Sequence, residues 1–176
     1  MSKLTALIIG RFQPFHLGHL KLIKCIENSS DVKRLIICIG SSQFKNTKEN
    51  PFSSSERKEM IENSLKGIIK IPYEIFEIPD IGDDEKWVSW VESIIGKRFD
   101  VVYANSEWVE SLFKEKGYRV RKTKLFNKEK FSGTEIRKKI LNGDDEWKKL
   151  VPEGTLKVIE KVRGKERIKK IYHSLS

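Results

Sequence analysis

Short apolar runs alternate with helix-patterned stretches along most of this chain, and that alternation limits the folds open to it. Leu4–Gly10 (LTALIIG) and Arg34–Gly40 (RLIICIG) are apolar and close on glycine, the pattern of buried strands. Ile75–Ile78, Asp100–Ala104 and Arg119–Lys124 are three further strand candidates. Between them, apolar residues fall at helical spacing over Leu17–Asn28, Ser53–Lys66, Glu85–Ile95 and Glu107–Lys116, the last ended by Gly117. Ser53 and Glu56 have the spacing of a capping box, which fixes where the second of these helices starts. After Lys124 only helical patterns remain, Thr134–Asn142 and roughly Thr155–Arg163, followed by a basic tail. Strand and helix in turn predict an α/β fold with a doubly wound parallel sheet and a C-terminal helical extension. We expect a nucleotide-binding core over residues 1–130 and a helical segment over 131–176 packed on it, one domain overall. In such sheets ligands bind beyond the carboxyl ends of the strands.

Composition narrows the partners. The 176 residues carry 35 Lys and Arg against 25 Asp and Glu, a net charge of +10. Such an excess points to an anionic partner: a nucleotide, a nucleic acid or an acidic membrane surface. No apolar run approaches the ~20 residues of a membrane span. The opening Met1-Ser2-Lys3 and Leu4–Gly10 are too short and poorly flanked for a signal peptide. Cys25 and Cys38 sit in apolar stretches without the spacing of a metal knuckle, so both are expected to be buried small hydrophobes in a reducing cytoplasm.

The loop after the first strand carries the chemistry. Arg11-Phe12-Gln13-Pro14-Phe15-His16-Leu17-Gly18-His19 contains two of the chain's three histidines, three residues apart at a helix start. That spacing turns both imidazoles to one face. A helix N-terminus with free N–H groups favours anions. Gly18 is expected to leave room for a phosphate, and Arg11 to offer a planar donor. The G-x-G-x-x-G dinucleotide string is absent. A zinc pair lacks a third ligand, since His173 alone is left. A second helix start, Ser132-Gly133-Thr134-Glu135-Ile136-Arg137, repeats the device: a capping Ser, a Gly, a Thr and an Arg one turn in.

The string G-R-F-Q-P-F-H-L-G-H at residues 10–19 resembles the G-x-F-x-P-x-H-x-G-H signature of the nucleotidylyltransferase superfamily. Residues 131–137 resemble its second signature, I-S-S-T-x-I-R, with Phe131 at the first position and Gly133 in place of the second Ser. Asn50-Pro51-Phe52-Ser53-Ser54-Ser55-Glu56-Arg57 matches the N-P-F-[ST]-x-x-E-R string of one branch, archaeal nicotinamide-mononucleotide adenylyltransferase. Gly40-Ser41-Ser42-Gln43, Trp87-Val88, Leu150-Val151-Pro152 and Arg163-Gly164-Lys165-Glu166-Arg167-Ile168 are similar to further strings of that branch. The resemblance runs from Leu7 to about Lys169.

The resemblance implies a Rossmann-like fold and the reaction ATP + nicotinamide mononucleotide (NMN) → NAD + pyrophosphate. It implies that His16, His19, Arg11 and Arg137 are catalytic and that Gly10, Phe12, Gly18, Ser132, Gly133 and Thr134 bind ATP and its phosphates. Arg57 is expected as a third cation near the triphosphate. Trp87, Ile81, Asp84 and Ser41 are implied to hold NMN, with Trp87 stacking on the pyridine ring and Trp90 in the core. Mg²⁺ would arrive with ATP, held mainly by phosphate and water rather than by a protein site. A hexamer is implied by the branch; neither a nucleic acid nor a membrane is expected as partner. Two positions depart from the pattern. Asp84 stands where the branch often has Asn, and Asn105-Ser106-Glu107 where it has Gly-Asn-Pro. Asp84 accepts from a carboxamide but repels a carboxylate, which would favour nicotinamide over nicotinate substrates. The alternatives are another adenylyl- or cytidylyltransferase of this fold, acting on phosphopantetheine or FMN, and a basic nucleic-acid-binding module.

Overall fold

A computed structural model describes residues 3–123 and 131–174. The elements run β1 Leu4–Gly10, α1 Leu17–Glu27, β2 Val32–Ile39, α2 Ser54–Leu65, β3 Tyr73–Glu77, α3 Asp84–Ile95, β4 Val101–Ala104, α4 Glu107–Glu115 and β5 Arg119–Lys122. Then follow α5 Gly133–Leu141, a 3₁₀ turn Asp145–Leu150, α6 Glu153–Lys161 and α7 Gly164–His173. The five strands form one parallel sheet in the order β3-β2-β1-β4-β5. The chain moves outward from β1 through β2 to β3, then returns to place β4 on the other side of β1. That reversal opens a crevice between the carboxyl ends of β1 and β4.

The central strands are apolar on both faces because both faces are covered. Ala6, Ile8, Leu35, Ile37 and Ile39 join α1, α2 and the C-terminal helices in one core. Leu7, Ile9, Ile36 and Cys38 point the other way, into a second core with α3 and α4. The helical segment enters the first core through Ile136, Ile140, Trp147, Val158 and Ile168, all fully buried.

Three expectations change. The basic tail is a helix: Arg163 adopts φ +53° and turns the chain from α6 into α7. Gly164 permits this docking, since a Cβ there would lie 2.8 Å from the Phe52 ring. Arg167 then forms a two-pronged pair with Glu56, at 2.6 and 2.8 Å, and also donates to Pro51 O. The N-P-F-S-S-S-E-R and R-G-K-E-R-I strings, more than 100 residues apart, are thus two halves of one contact. Second, Cys25 is exposed, because α1 buries Leu20, Ile23 and Ile26 and position 25 falls off that face; Cys38 is buried as expected, and burial pushes its thiol pKa up. Third, β3 starts at Tyr73 rather than Ile75. The Lys124 end of the expected fifth strand lies outside the described residues.

Candidate active site

A cavity of about 680 Å³ opens at the strand carboxyl ends, between the loops after β1 and β4 and the start of α5. His16 and His19 stand on its wall and are built as a reciprocal cap of α1. His16 Nδ1 accepts from the backbone N–H groups of Gly18 (3.1 Å) and His19 (3.4 Å). His19 Nδ1 accepts from the N–H of His16 at 3.2 Å. A ring nitrogen that accepts carries no proton, so the hydrogen-bond network assigns both side chains the tautomer protonated on Nε2. The rings stack with centroids 3.6 Å apart and planes 21° from parallel. Burial lowers the His16 pKa to about 4, and burial together with the neighbouring His16 lowers that of His19. Both are therefore neutral Nε2–H donors at pH 7. Phe12 and Phe15 fix the His19 ring from two sides, at 4.8 and 5.4 Å.

The second helix start meets the first loop directly. Arg137, buried, donates from Nη1 to Gln13 O at 2.7 Å and from Nη2 to Thr134 Oγ1 at 3.5 Å. Its pKa is lowered by burial and supported by a hydrogen bond with Tyr172 of α7. Its Nε has no hydrogen-bond partner among the described residues. Ser132 Oγ is used as the cap of α5, accepting from Glu135 N at 3.1 Å. A Cβ at Gly133 would sit 2.6 Å from Gln13 O, and one at Gly18 would sit 2.9 Å from Phe131 Cβ and 3.0 Å from the His16 ring. Protein packing alone therefore requires glycine at both positions. At Gly10 an added Cβ would sit 3.0 Å from the Phe12 ring, which lies buried at φ +52°. Arg11 is exposed at the mouth.

Arg57 does not face the cavity, contrary to expectation. It is fully buried beneath the site and donates to the carbonyls of Arg11 (2.8 Å), Gly40 (2.8 Å), Ser41 (3.2 Å) and Ser53 (3.3 Å). One guanidinium thus joins the loops after β1 and β2 to the start of α2. Gln13 makes a buried two-way bond with the Phe52 backbone, at 2.8 and 3.0 Å. Ser41, at φ +50°, donates to Asp80 Oδ2 at 2.6 Å. Gln43 closes the same loop with paired bonds to the Asp80 backbone, both 3.0 Å.

The far end of the cavity is aromatic and acidic. Trp87, Ile81, Asp84 and Ser41 all line it. Trp87 is 5% exposed; its ring packs on Trp108 at 4.6 Å and edge-on against Phe113 at 5.9 Å. Trp90, half-buried, donates its indole N–H to Pro79 O at 2.9 Å. Asp84 accepts from the Trp108 indole at 3.0 Å. Asn105 and Ser106 reach the cavity edge, where Ser106 caps α4. Sequence reasoning missed Gln13, Asp80, Trp108 and Tyr172. Gln13 stood inside a quoted string, and Asp80 lies in the loop after β3, past Ile78 and Pro79; Trp108 and Tyr172 carried no local signal. Among the described residues no group of three or more His, Cys, Asp or Glu side chains converges to hold a metal ion. No described helix is long and apolar enough to cross a membrane.

Comparison with known proteins agrees with this geometry. The family model for cytidylyltransferase-like proteins matches residues 7–139. A nicotinamide-nucleotide adenylyltransferase of Methanococcus aeolicus is 49% identical over 168 residues, covering 96% of this chain and 95% of the relative. One from Archaeoglobus fulgidus is 41% identical, covering 96% and 97%. Among solved structures, a bifunctional NMN adenylyltransferase/ADP-ribose pyrophosphatase of Francisella tularensis, crystallised with AMP and a manganese ion, superposes with a TM-score of 0.71 at 27% identity. It matches 97% of this chain, which spans about half (52%) of that longer protein. A nicotinic acid mononucleotide adenylyltransferase of Plasmodium falciparum shares the fold, with a TM-score of 0.61 at 13% identity. With both helix-start motifs converging on one cavity and relatives matched over nearly their whole length, the chain belongs to the cytidylyltransferase-like nucleotidyltransferase family, among the archaeal nicotinamide-nucleotide adenylyltransferases.

Proposed function

We propose that this protein joins ATP and NMN to give NAD and pyrophosphate. The observation that carries the reading is the stacked pair of neutral Nε2–H histidines beside the α5 start and Arg137, a set of donors suited to a polyphosphate. The NMN phosphate is already a nucleophile, so no base and no covalent intermediate is needed. Its oxygen forms a bond to the α-phosphorus of ATP as the bond from that phosphorus to the β-bridging oxygen breaks, and pyrophosphate leaves with the electron pair. Catalysis then rests on positioning and on donors aimed at developing charge. His16 and His19 hydrogen-bond the α-phosphate, with His19 bracing the transition state. Arg11 and Arg137 neutralise the departing pyrophosphate. Gly10, Phe12, Gly18, Ser132, Gly133 and Thr134 frame the triphosphate.

Trp87, Ile81, Asp84 and Ser41 frame NMN, with the indole of Trp87 against the electron-poor pyridinium. Asp84 accepts from the carboxamide and disfavours nicotinate. Mg²⁺ accompanies ATP as part of the substrate and offsets phosphate charge. The working form is a homo-oligomer in the cytoplasm, with the chain folded as one domain.

The test supplies Mg-ATP with NMN, nicotinate mononucleotide, phosphopantetheine or FMN in turn and measures pyrophosphate. The reading predicts the fastest release with NMN. Release with phosphopantetheine or FMN instead would move the chain to a sister activity, and salt-sensitive DNA or RNA binding without any release would support a nucleic-acid module.

A further inference from the structure

Trp108 stands 44% exposed in the first turn of α4, yet it is held on both sides of its indole. Its N–H donates to Asp84 Oδ2, bridging α4 to α3 at 3.0 Å. Its ring lies on Trp87 with centroids 4.6 Å apart and planes at 51°. Asp84, Trp87 and Trp108 all line the cavity. Two rings sandwiching a third must stand about 7 Å apart, since each stacked contact takes roughly 3.5 Å. A separation of 4.6 Å leaves no slot between the indoles. Phe113 also packs against Trp87, with ring centroids 5.9 Å apart and planes at 80°. A planar ring therefore reaches the face of Trp87 that Trp108 covers only if Trp108 swings aside.

We propose that Trp108 is a gate over the pyridine subsite, latched shut by Asp84 in the free protein. This rests on the NMN reading above. The incoming carboxamide donates to Asp84 in place of the indole N–H, so one hydrogen bond replaces another and the latch opens. The freed Trp108 then covers the outer face of the pyridine ring, which completes an aromatic enclosure with Trp87. Breaking the latch adds the same cost to binding any ring, so it sets affinity; Asp84 alone sets the preference between amide and acid.

Trp108→Phe keeps a ring at the position and removes only the donor. With the latch gone, the Michaelis constant for NMN should fall by about threefold to tenfold, the net worth of one typical hydrogen bond. A purely structural role for Trp108 would raise KM or leave it alone, so the direction of change is diagnostic. Asp84→Asn provides an independent arm: it should narrow the ratio of kcat/KM between NMN and nicotinate mononucleotide, while Trp108→Phe leaves that ratio unchanged. NAD formation by the wild type with an unchanged or raised KM in Trp108→Phe would overturn the gate. A wild type that forms no NAD would reject the NMN reading itself and the gate with it, and is seen before any variant is made.

Discussion

Replacing Arg57 with Met tests how the site is held up. Met reproduces the aliphatic stem of Arg, so the change deletes the guanidinium with its donors and leaves a small void where that group lay. Burial draws the Arg57 pKa down to about 10, against the support of Glu77 and Asp80, so the group is charged at pH 7. In the variant, Ser41 O keeps the Phe44 N–H and Ser53 O keeps the N–H of residue 57. The carbonyls of Gly40, buried, and Arg11, part-buried, lose the guanidinium donor, and an acceptor left bare costs ~1–3 kcal/mol, the more the deeper it is buried. Removing the buried charge recovers part of its desolvation penalty. The net expectation is a loss of about 3 kcal/mol, and at ~2–4 °C per kcal/mol for a chain of this size the melting temperature falls by roughly 10 °C. Because the freed loops carry Arg11 and Ser41, KM for ATP should also rise. Denaturant titration gives the stability, and a steady-state assay gives KM. A loss under ~1 kcal/mol, with KM unmoved, would refute the view that Arg57 ties the loops.

Four further outcomes are expected. His19→Ala should keep the circular dichroism spectrum and lower kcat by ~10²- to 10³-fold, the effect of removing a transition-state donor; a change under tenfold would take His19 out of the chemistry. Stability of the ligand-free protein should be full above pH ~6.5 and decline as pH falls towards about 4, because the unfolded imidazole binds its proton near pH 6.5 and folded His16 only near 4. The His16 contribution over that window is roughly 3 kcal/mol, and His16→Asn, which can still cap α1, should flatten the melting profile between pH 6.5 and 4.5. Gly133→Ala should raise KM for ATP and cost ~1–3 kcal/mol, since its Cβ would press on Gln13 O; wild-type stability would show that α5 shifts freely. Arg167→Ala should undock α7 and make it the first site of limited proteolysis, because its bonds to Glu56 and Pro51 are lost; cleavage unchanged from wild type would contradict that.

The central strands and first helices were legible because their signals are local. β1 carries the buried apolar run Ala6–Ile9 and β2 the run Leu35–Ile39, and Ser53 with Glu56 marked the α2 start to the residue. The outer strands β3 and β5 are edges, only part-buried and partly charged, so their limits blurred. α7 was hidden because a single apolar residue, Ile168, is fully buried on a basic helix, and its docking depends on Glu56 far away in the chain. The two phosphate motifs could be read because each is one contiguous helix start. Arg57 was misplaced for the opposite reason. An arginine inside a motif suggests a phosphate clamp, while its actual acceptors come from loops 16 to 46 residues away. Trp108 was invisible until α3 and α4 were seen side by side.

The central claim is direct transfer of the adenylyl group to NMN, and one measurement addresses it most plainly. The purified protein is incubated with Mg-ATP and NMN, and NAD and pyrophosphate are quantified over time in the same samples. The account predicts that both accumulate in a one-to-one ratio, and that neither forms when NMN is omitted. Pyrophosphate release without NMN, or no NAD with all substrates present, would contradict it.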